Sequence, residues 1–213
     1  MFVPETFKES NPDVLHALIQ SHPLATWVVL TDDGLEVNHI PFVLDCRSGQ
    51  HGVLQGHVNR ANTIWKKMHT DQNSVVVFQG PENYITPSWY ASKIEHGKVV
   101  PTWNYVVVHA HGIPVVRNDP EWLMQQLNAL TDEQENDREQ PWKVSDAPKD
   151  YIDRMLRGIV GIEIEISSLE GAWKVSQNKQ AEDRLGVIQG LIGQKDSDSN
   201  QMANHIAETG SAG

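Results

Sequence analysis

The stretch spanning residues 24–44 constrains the fold more than any other part of the chain. Leu24–Thr31 is an apolar run rich in β-branched residues, Asp32-Asp33-Gly34 is turn chemistry suited to a hairpin, and residues 35–44 return as a second strand. A further turn at Arg47-Ser48-Gly49-Gln50 leads into residues 52–58, which alternate as a half-buried strand does. Three antiparallel strands in series predict a meander, so the chain is committed early to an antiparallel sheet.

The rest of the pattern agrees. Ser10-Asn11-Pro12-Asp13 supplies capping side chains and a proline for a first helix over residues 11–21, which Pro23 stops. Residues 61–69 predict a short helix with Ile64, Trp65 and Met68 inward, and residues 74–78 a strand buried on both faces. Residues 80–102 mix proline, glycine and aromatics and read as a structured excursion. Residues 103–110 and 113–117 predict a hairpin or two successive strands around His111-Gly112, and Asp119-Pro120-Glu121 caps a helix reaching about Thr131. The acidic stretch 132–153 reads as a solvated surface loop with a short helix ending at Arg157-Gly158. Residues 159–166 are expected to pair with 171–175, and residues 181–192 form an amphipathic helix. Many short strands without regular βαβ alternation imply an α+β domain built on an antiparallel, split β-barrel of Greek-key type with peripheral helices. The expected organisation is one domain over residues 1–195, including the C-terminal helix, followed by a polar tail over 196–213 that is either loose or, at Met202 and Ile206, forms one last helical turn.

Composition narrows the function classes. A formal charge of -11 opposes non-specific attraction to phosphate backbones, and neither a basic run nor a helix-turn-helix offsets it, so direct DNA binding is not expected. The single cysteine, Cys46, excludes an internal disulfide and, with the lack of a leader-like or membrane-spanning stretch, points to the cytoplasm. Dinucleotide, phosphate-loop, zinc-protease and nucleophile-elbow motifs are absent, and no residue stands out as a proton-transfer group, so catalytic residues stay unassigned. His109-Ala110-His111 places two imidazoles on one face of a strand without an evident third ligand, and no metal is expected there.

Three stretches carry candidate binding chemistry. In Gly56-His57-Val58-Asn59-Arg60-Ala61-Asn62 a strand gives way to a helix beside a guanidinium, which suits a phosphate and equally describes a helix cap with a surface arginine. Tyr84, Trp89, Tyr90, Trp103 and Tyr105 concentrate aromatic area that can stack on a planar ligand or fill a core or interface. Trp173-Lys174-Val175-Ser176-Gln177-Asn178 adds a cation and hydrogen-bonding side chains at a strand end, compatible with a ligand or with a simple turn.

With these residues, and with Phe78-Gln79-Gly80-Pro81, Pro87-Ser88-Trp89-Tyr90 and Val100-Pro101-Thr102-Trp103-Asn104-Tyr105 in the same order, the sequence resembles the PaiB-type FMN-binding negative transcriptional regulators over nearly its whole length. Those proteins are related to the split-barrel pyridoxamine phosphate oxidases and flavin reductases, and the resemblance implies a homodimer with FMN at its interface. It implies that the strand carrying His39 and Pro41 lines the flavin, that His57, Asn59, Arg60 and Asn62 take the phosphate, and that Trp103, Asn104, Lys174, Ser176 and Gln177 close the site from its far side. It also implies negative regulation of transcription, which the charge of this chain makes indirect. A flavin-dependent oxidoreductase, or a binder of another planar ligand such as haem, is the alternative.

Overall fold

The computed structural model describes residues 1–209. Along the chain run β1 (Lys8–Glu9), α1 (Pro12–Ser21), β2 (Leu24–Thr31), β3 (Gly34–Pro41), β4 (Val43–Asp45), β5 (Val53–Asn59), α2 (Ile64–Lys67), β6 (Ser74–Ile85), α3 (Ser92–His96), β7 (Thr102–Gly112), β8 (Pro114–Arg117), α4 (Pro120–Glu135), α5 (Lys149–Leu156), β9 (Ile159–Glu165), β10 (Ser168–Lys174), α6 (Ala181–Gln194) and α7 (Ser197–Thr209). The class is α+β with antiparallel ladders, as the patterning implies. Among the described residues no helix is long and apolar enough to cross a membrane. The chain divides into two compact units: unit 1 holds residues 1–15, 79–108 and those from Glu170 onward, and unit 2 holds residues 16–78 and 109–169.

Unit 2 contains the hairpin legible in the sequence, β2 paired with β3 from Leu24↔Pro41 to Thr31↔Gly34. The meander does not continue as expected, because the strand predicted over 35–44 breaks at Phe42. Pro41 has no N–H to donate and ends one ladder. The Phe42 N–H turns back to the Pro23 carbonyl at 2.9 Å, and Val43 then pairs with Gln55 in a second sheet ordered β4-β5-β9-β8. Phe42 is buried at this switch, its ring edge-on to Phe78 at 6.5 Å. Burial of side chains of this size, with Trp27, Leu54, Ile162 and Ile164, contributes about 1.5–3 kcal/mol each.

The expected pairing of residues 159–166 with 171–175 is also absent. Both edges of β9 are occupied, one by β5 over seven pairs from Val53↔Glu165 to Asn59↔Ile159 and the other by β8, so no edge is free for β10. Residues 74–78 alternate instead of burying both faces: Ser74, Val76 and Phe78 are buried while Val75 and Val77 are half-exposed. An all-apolar run cannot report which face it buries. The helix expected over 61–69 shrinks to α2, because Asn59 and Asn62 hold the preceding residues in turns. At α4 the capping prediction holds, with Asp119 Oδ1 accepting the Trp122 N–H at 2.8 Å and Pro120 in the first turn.

In unit 1 the strand order is β1-β10-β7-β6, with Lys8 opposite Ala172. Two glycines on α6, Gly186 and Gly190, lie against the short helical turn Pro87–Trp89. A Cβ on Gly190 would come within 2.3 Å of the Trp89 ring, so the helix accepts the indole only because it is bare there. The residues beyond 195, expected as a polar tail, form α7 as far as Thr209, and residues 210–213 of that stretch lie outside the described residues. Asp196 caps the helix by accepting the Ser199 N–H at 2.8 Å, and Arg184 on α6 donates to the Ile206 carbonyl at 2.5 Å near its other end. Met202, Ala203 and Ile206 are buried, so the turn expected at Met202 and Ile206 belongs to a full helix.

Gly190→Ala is expected to lower the stability to urea by about 1–3 kcal/mol through overpacking against Trp89. Met202→Ala should cost about 2–5 kcal/mol in the same measurement, whereas a side chain on a loose tail would cost nothing.

Candidate functional site

The expected phosphate-binding residues lie in unit 2, where β5 ends. The β5–β9 ladder brings the Arg60 N–H to the Gly158 carbonyl at 2.8 Å. The guanidinium continues this stitch, Nε donating to the Arg157 carbonyl at 2.9 Å and Nη2 to the Ile159 carbonyl at 2.7 Å and to Asn118 Oδ1 at 3.2 Å. Trp65 packs beside it, with the guanidinium carbon 5.7 Å from the ring centroid. The two N–H groups of Nη1 have no acceptor among the described residues, and Arg60 lines a cleft of about 390 Å³ with Asn118, Leu123, Leu156 and Arg157.

The neighbours of Arg60 are committed locally. Asn59 Oδ1 accepts the Ala61 N–H at 2.8 Å, and Asn62 accepts from Ile64 N at 3.0 Å while donating to Asn38 Oδ1 at 2.7 Å. His57 Nδ1 meets Gln126 Oε1 of α4 at 2.9 Å, a contact with no local signal in the sequence. On β3, His39 Nδ1 sits 3.1 Å from Thr26 Oγ1, directly across the ladder. His39 and Pro41 share a face with Leu35 and Val37 by strand alternation. α2 spans only four residues, so it offers little dipole for an anion and Arg60 carries that chemistry by itself.

The far-side residues lie in unit 1, on β7 and at the end of β10. Asn104 and Ser176 are buried together, Asn104 Nδ2 donating to Ser176 Oγ at 2.9 Å. Ser176 is held at φ 60°, a left-handed backbone that serine rarely adopts. Gln177 clamps the same turn, accepting the Val175 N–H at 2.8 Å and donating to the Trp173 carbonyl. These three residues shape the turn and have little hydrogen-bonding capacity left for a ligand.

Trp103 and Lys174 keep theirs. Alternation along β7 sets Trp103 and Tyr105 on one face, and Tyr84 of β6 meets Trp103 edge-to-face at 5.8 Å. Lys174 lies with its Nζ 6.0 Å from the Tyr105 ring centroid and donates to Thr102 Oγ1 at 2.6 Å. Burial and, after it, the nearby Lys179 hold its ammonium below the ordinary lysine range. Trp103 and Tyr84 are about half-exposed, at 53% and 47%, so the rings form an open platform beside a half-buried cation. The other two aromatics of the cluster are structural, Trp89 against α6 and Tyr90 in the core. Unit 1 by itself thus fits part of a flavin, an open aromatic ring flanked by a second ring and a cation; in unit 2, considered separately, a guanidinium with unused N–H groups suits an anion.

Arg60→Lys is expected to destabilise unit 2 by about 1–3 kcal/mol, because an ammonium cannot reach the Arg157, Ile159 and Asn118 acceptors together. Thermal melts of the two proteins measure it.

Residues 1–168 match the model of a protein family described as "Putative FMN-binding domain". The chain is 30% identical over 204 residues to the protease synthase and sporulation protein PAI 2 of Bacillus subtilis, covering 95% of each. It is 31% identical to an uncharacterised protein of Emericella nidulans, covering 99% of this chain and 98% of that one. Among solved structures it superposes on an FAD and heme binding protein from Mycobacterium smegmatis with a TM-score of 0.56 at 16% identity, covering 78% of this chain and 73% of that one. The flavocytochrome Anf3 from Azotobacter vinelandii gives a TM-score of 0.55 at 13% identity, with 78% and 69% covered. The fold is thus shared well beyond detectable sequence identity, and it is the split β-barrel expected from the sequence. The family match ends at residue 168, before Lys174, Ser176 and Gln177. By the family match and by identity over almost its entire length, the chain belongs to the PaiB family of FMN-binding-domain proteins.

Proposed function

We propose that this protein is an FMN-binding, homodimeric negative regulator of transcription that acts without reading DNA itself. The observation that carries the flavin reading is the open face of Tyr84, Trp103 and Tyr105 beside Lys174, an aromatic platform that nothing in unit 1 covers to the extent of burying it. Bound FMN supplies a planar ring that accepts and releases electrons. Trp103 would stack on that ring with Tyr84 standing edge-on beside it, and Lys174 would hold a positive charge at its rim. Asn104, Ser176 and Gln177 would act by holding these groups in place; in unit 2, Arg60 would offer Nη1 to a phosphate, with His57, Asn59 and Asn62 fixing its surroundings.

The homodimer reading is supported by the outer face of β2 and β3. Leu24, Leu35 and Val37 are exposed there at 68%, 72% and 56%, an apolar surface that a second copy would remove from water. His39 and Pro41 stand on the same face, which agrees with a flavin held where two copies meet. The regulatory reading is supported by kinship with a protein named for protease synthesis and sporulation. The charge of -11 speaks for repression through a metabolite or a protein partner.

A flavin-dependent oxidoreductase is the second reading, favoured by the exposure of the aromatic platform, which leaves room for a substrate over a stacked ring. Reduction of the bound flavin by NADH or NADPH would favour it.

Titration of the purified protein with FMN, followed by flavin fluorescence, tests the first reading. Saturable binding is expected, and Trp103→Ala should weaken it by about tenfold or more, since stacking on an aromatic side chain contributes about 1–3 kcal/mol. Trp103 is half-exposed, so this variant keeps its fold. A protein that takes up no FMN overturns the reading.

A further inference from the structure

We propose that Lys174 sets the redox preference of the bound flavin by placing a positive charge against the pyrimidine edge of the ring stacked on Trp103. The inference rests on the flavin reading given above and adds a role to a single residue.

The argument begins with the row of side chains on one face of unit 1. β10, β7 and β6 are neighbours in the sheet. Lys174 on β10 contacts Tyr105 on β7, Trp103 stands two residues from Tyr105 on the same face, and Tyr84 on β6 contacts Trp103. A planar ligand lying on the aromatic end of this row therefore has the ammonium at one edge.

That ammonium is poorly compensated. Of its three N–H groups one goes to Thr102, and no carboxylate among the described residues pairs with it. Its hydration is cut by burial and it is repelled by Lys179, which is why its pKa falls. A cation in this condition gains more from an arriving negative charge than a fully hydrated surface lysine does. It is also held in place from two sides, by the Thr102 hydroxyl and by the Tyr105 ring, so its charge does not wander. The turn that follows is fixed by the buried Asn104–Ser176 pair and by Gln177, which keeps the end of β10 rigid.

The chemistry of the ring selects which edge gains. Uptake of two electrons and one proton, the proton at N5, leaves one negative charge shared between N1 and the C2 carbonyl oxygen. Charge near N1 is one of the means by which a protein tunes flavin electronics. Lys174 stabilises that charge and so favours the reduced ring over the oxidised one, whatever two-electron donor supplies the electrons.

The test is the two-electron reduction potential of FMN bound to the full-length protein, measured against a reference dye during reduction with dithionite at saturating FMN. Lys174→Met is expected to lower the ratio of affinities for reduced and oxidised FMN about tenfold, which for a two-electron couple is a potential drop of roughly 30 mV. Lys174→Arg should keep the potential of the unaltered protein. A Lys174→Met protein that holds FMN at an unchanged potential overturns this inference and leaves FMN binding intact. Failure of the unaltered protein to bind FMN overturns the flavin reading and this inference with it. The unaltered protein also tests the idea without any variant: reduced FMN should bind more tightly than oxidised FMN, and equal affinities overturn the inference.

Discussion

The ladder between β5 and β9 organises unit 2. Seven antiparallel pairs run from Val53↔Glu165 to Asn59↔Ile159, and the residue that follows, Arg60, carries the ladder on with its own side chain by donating to the Arg157 and Ile159 carbonyls. Because register is set by pairs, each position on β5 acquires a partner far away in sequence. His57 falls opposite Gly161, over which the Trp122 ring of α4 packs so closely that a Cβ there would lie 2.3 Å from it. The same helix brings Gln126 to His57, and Trp122 Nε1 donates to Glu163 Oε2 at 3.0 Å, while Arg117 meets the other oxygen of that carboxylate at 2.5 Å. A slip of one residue in this ladder would dissolve all of these contacts together.

Unit 1 depends on a comparable restraint at smaller scale. The buried Asn104–Ser176 pair ties β7 to the turn after β10 and holds Ser176 in a conformation worth about 1–3 kcal/mol of strain. That strain persists because the surrounding hydrogen bonds over-determine the turn, with Gln177 bonded to residues on either side of Lys174. The outcome is a fixed cation beside exposed aromatic rings, which is the natural place to look for a ligand.

Much of the fold was legible because its signals are local. The β2–β3 hairpin follows from a β-branched run and Asp-Asp-Gly, α1 and α4 from their capping residues, and α6 from its apolar spacing. Errors arose where pairing is non-local. Residues 159–166 and 171–175 look like a hairpin because they are adjacent strands, and nothing nearby reveals that β9 is already flanked by β5 and β8. Phe42 reads as one more residue of a strand, and only the ladder on each side of it shows the change of sheet. Of α7 only a turn around Met202 and Ile206 is legible, because the stretch is polar, and three buried side chains at 202, 203 and 206 suffice for the whole helix once α6 is there to receive them.

The candidate site divides along the same line. Residue types and their order determined the α+β class, the likeness to the PaiB family and the stretches in which ligand chemistry is concentrated, because those properties are carried by short motifs. Which members of each stretch face outward was decided by the tertiary structure. Trp103 and Lys174 stay available while Asn104, Ser176 and Gln177 turn inward, and Arg60 retains two N–H groups while Asn59 and Asn62 close local turns. Strand alternation allots a side chain to one face or the other, but which face remains open depends on what packs against it, and that is settled only when distant segments meet.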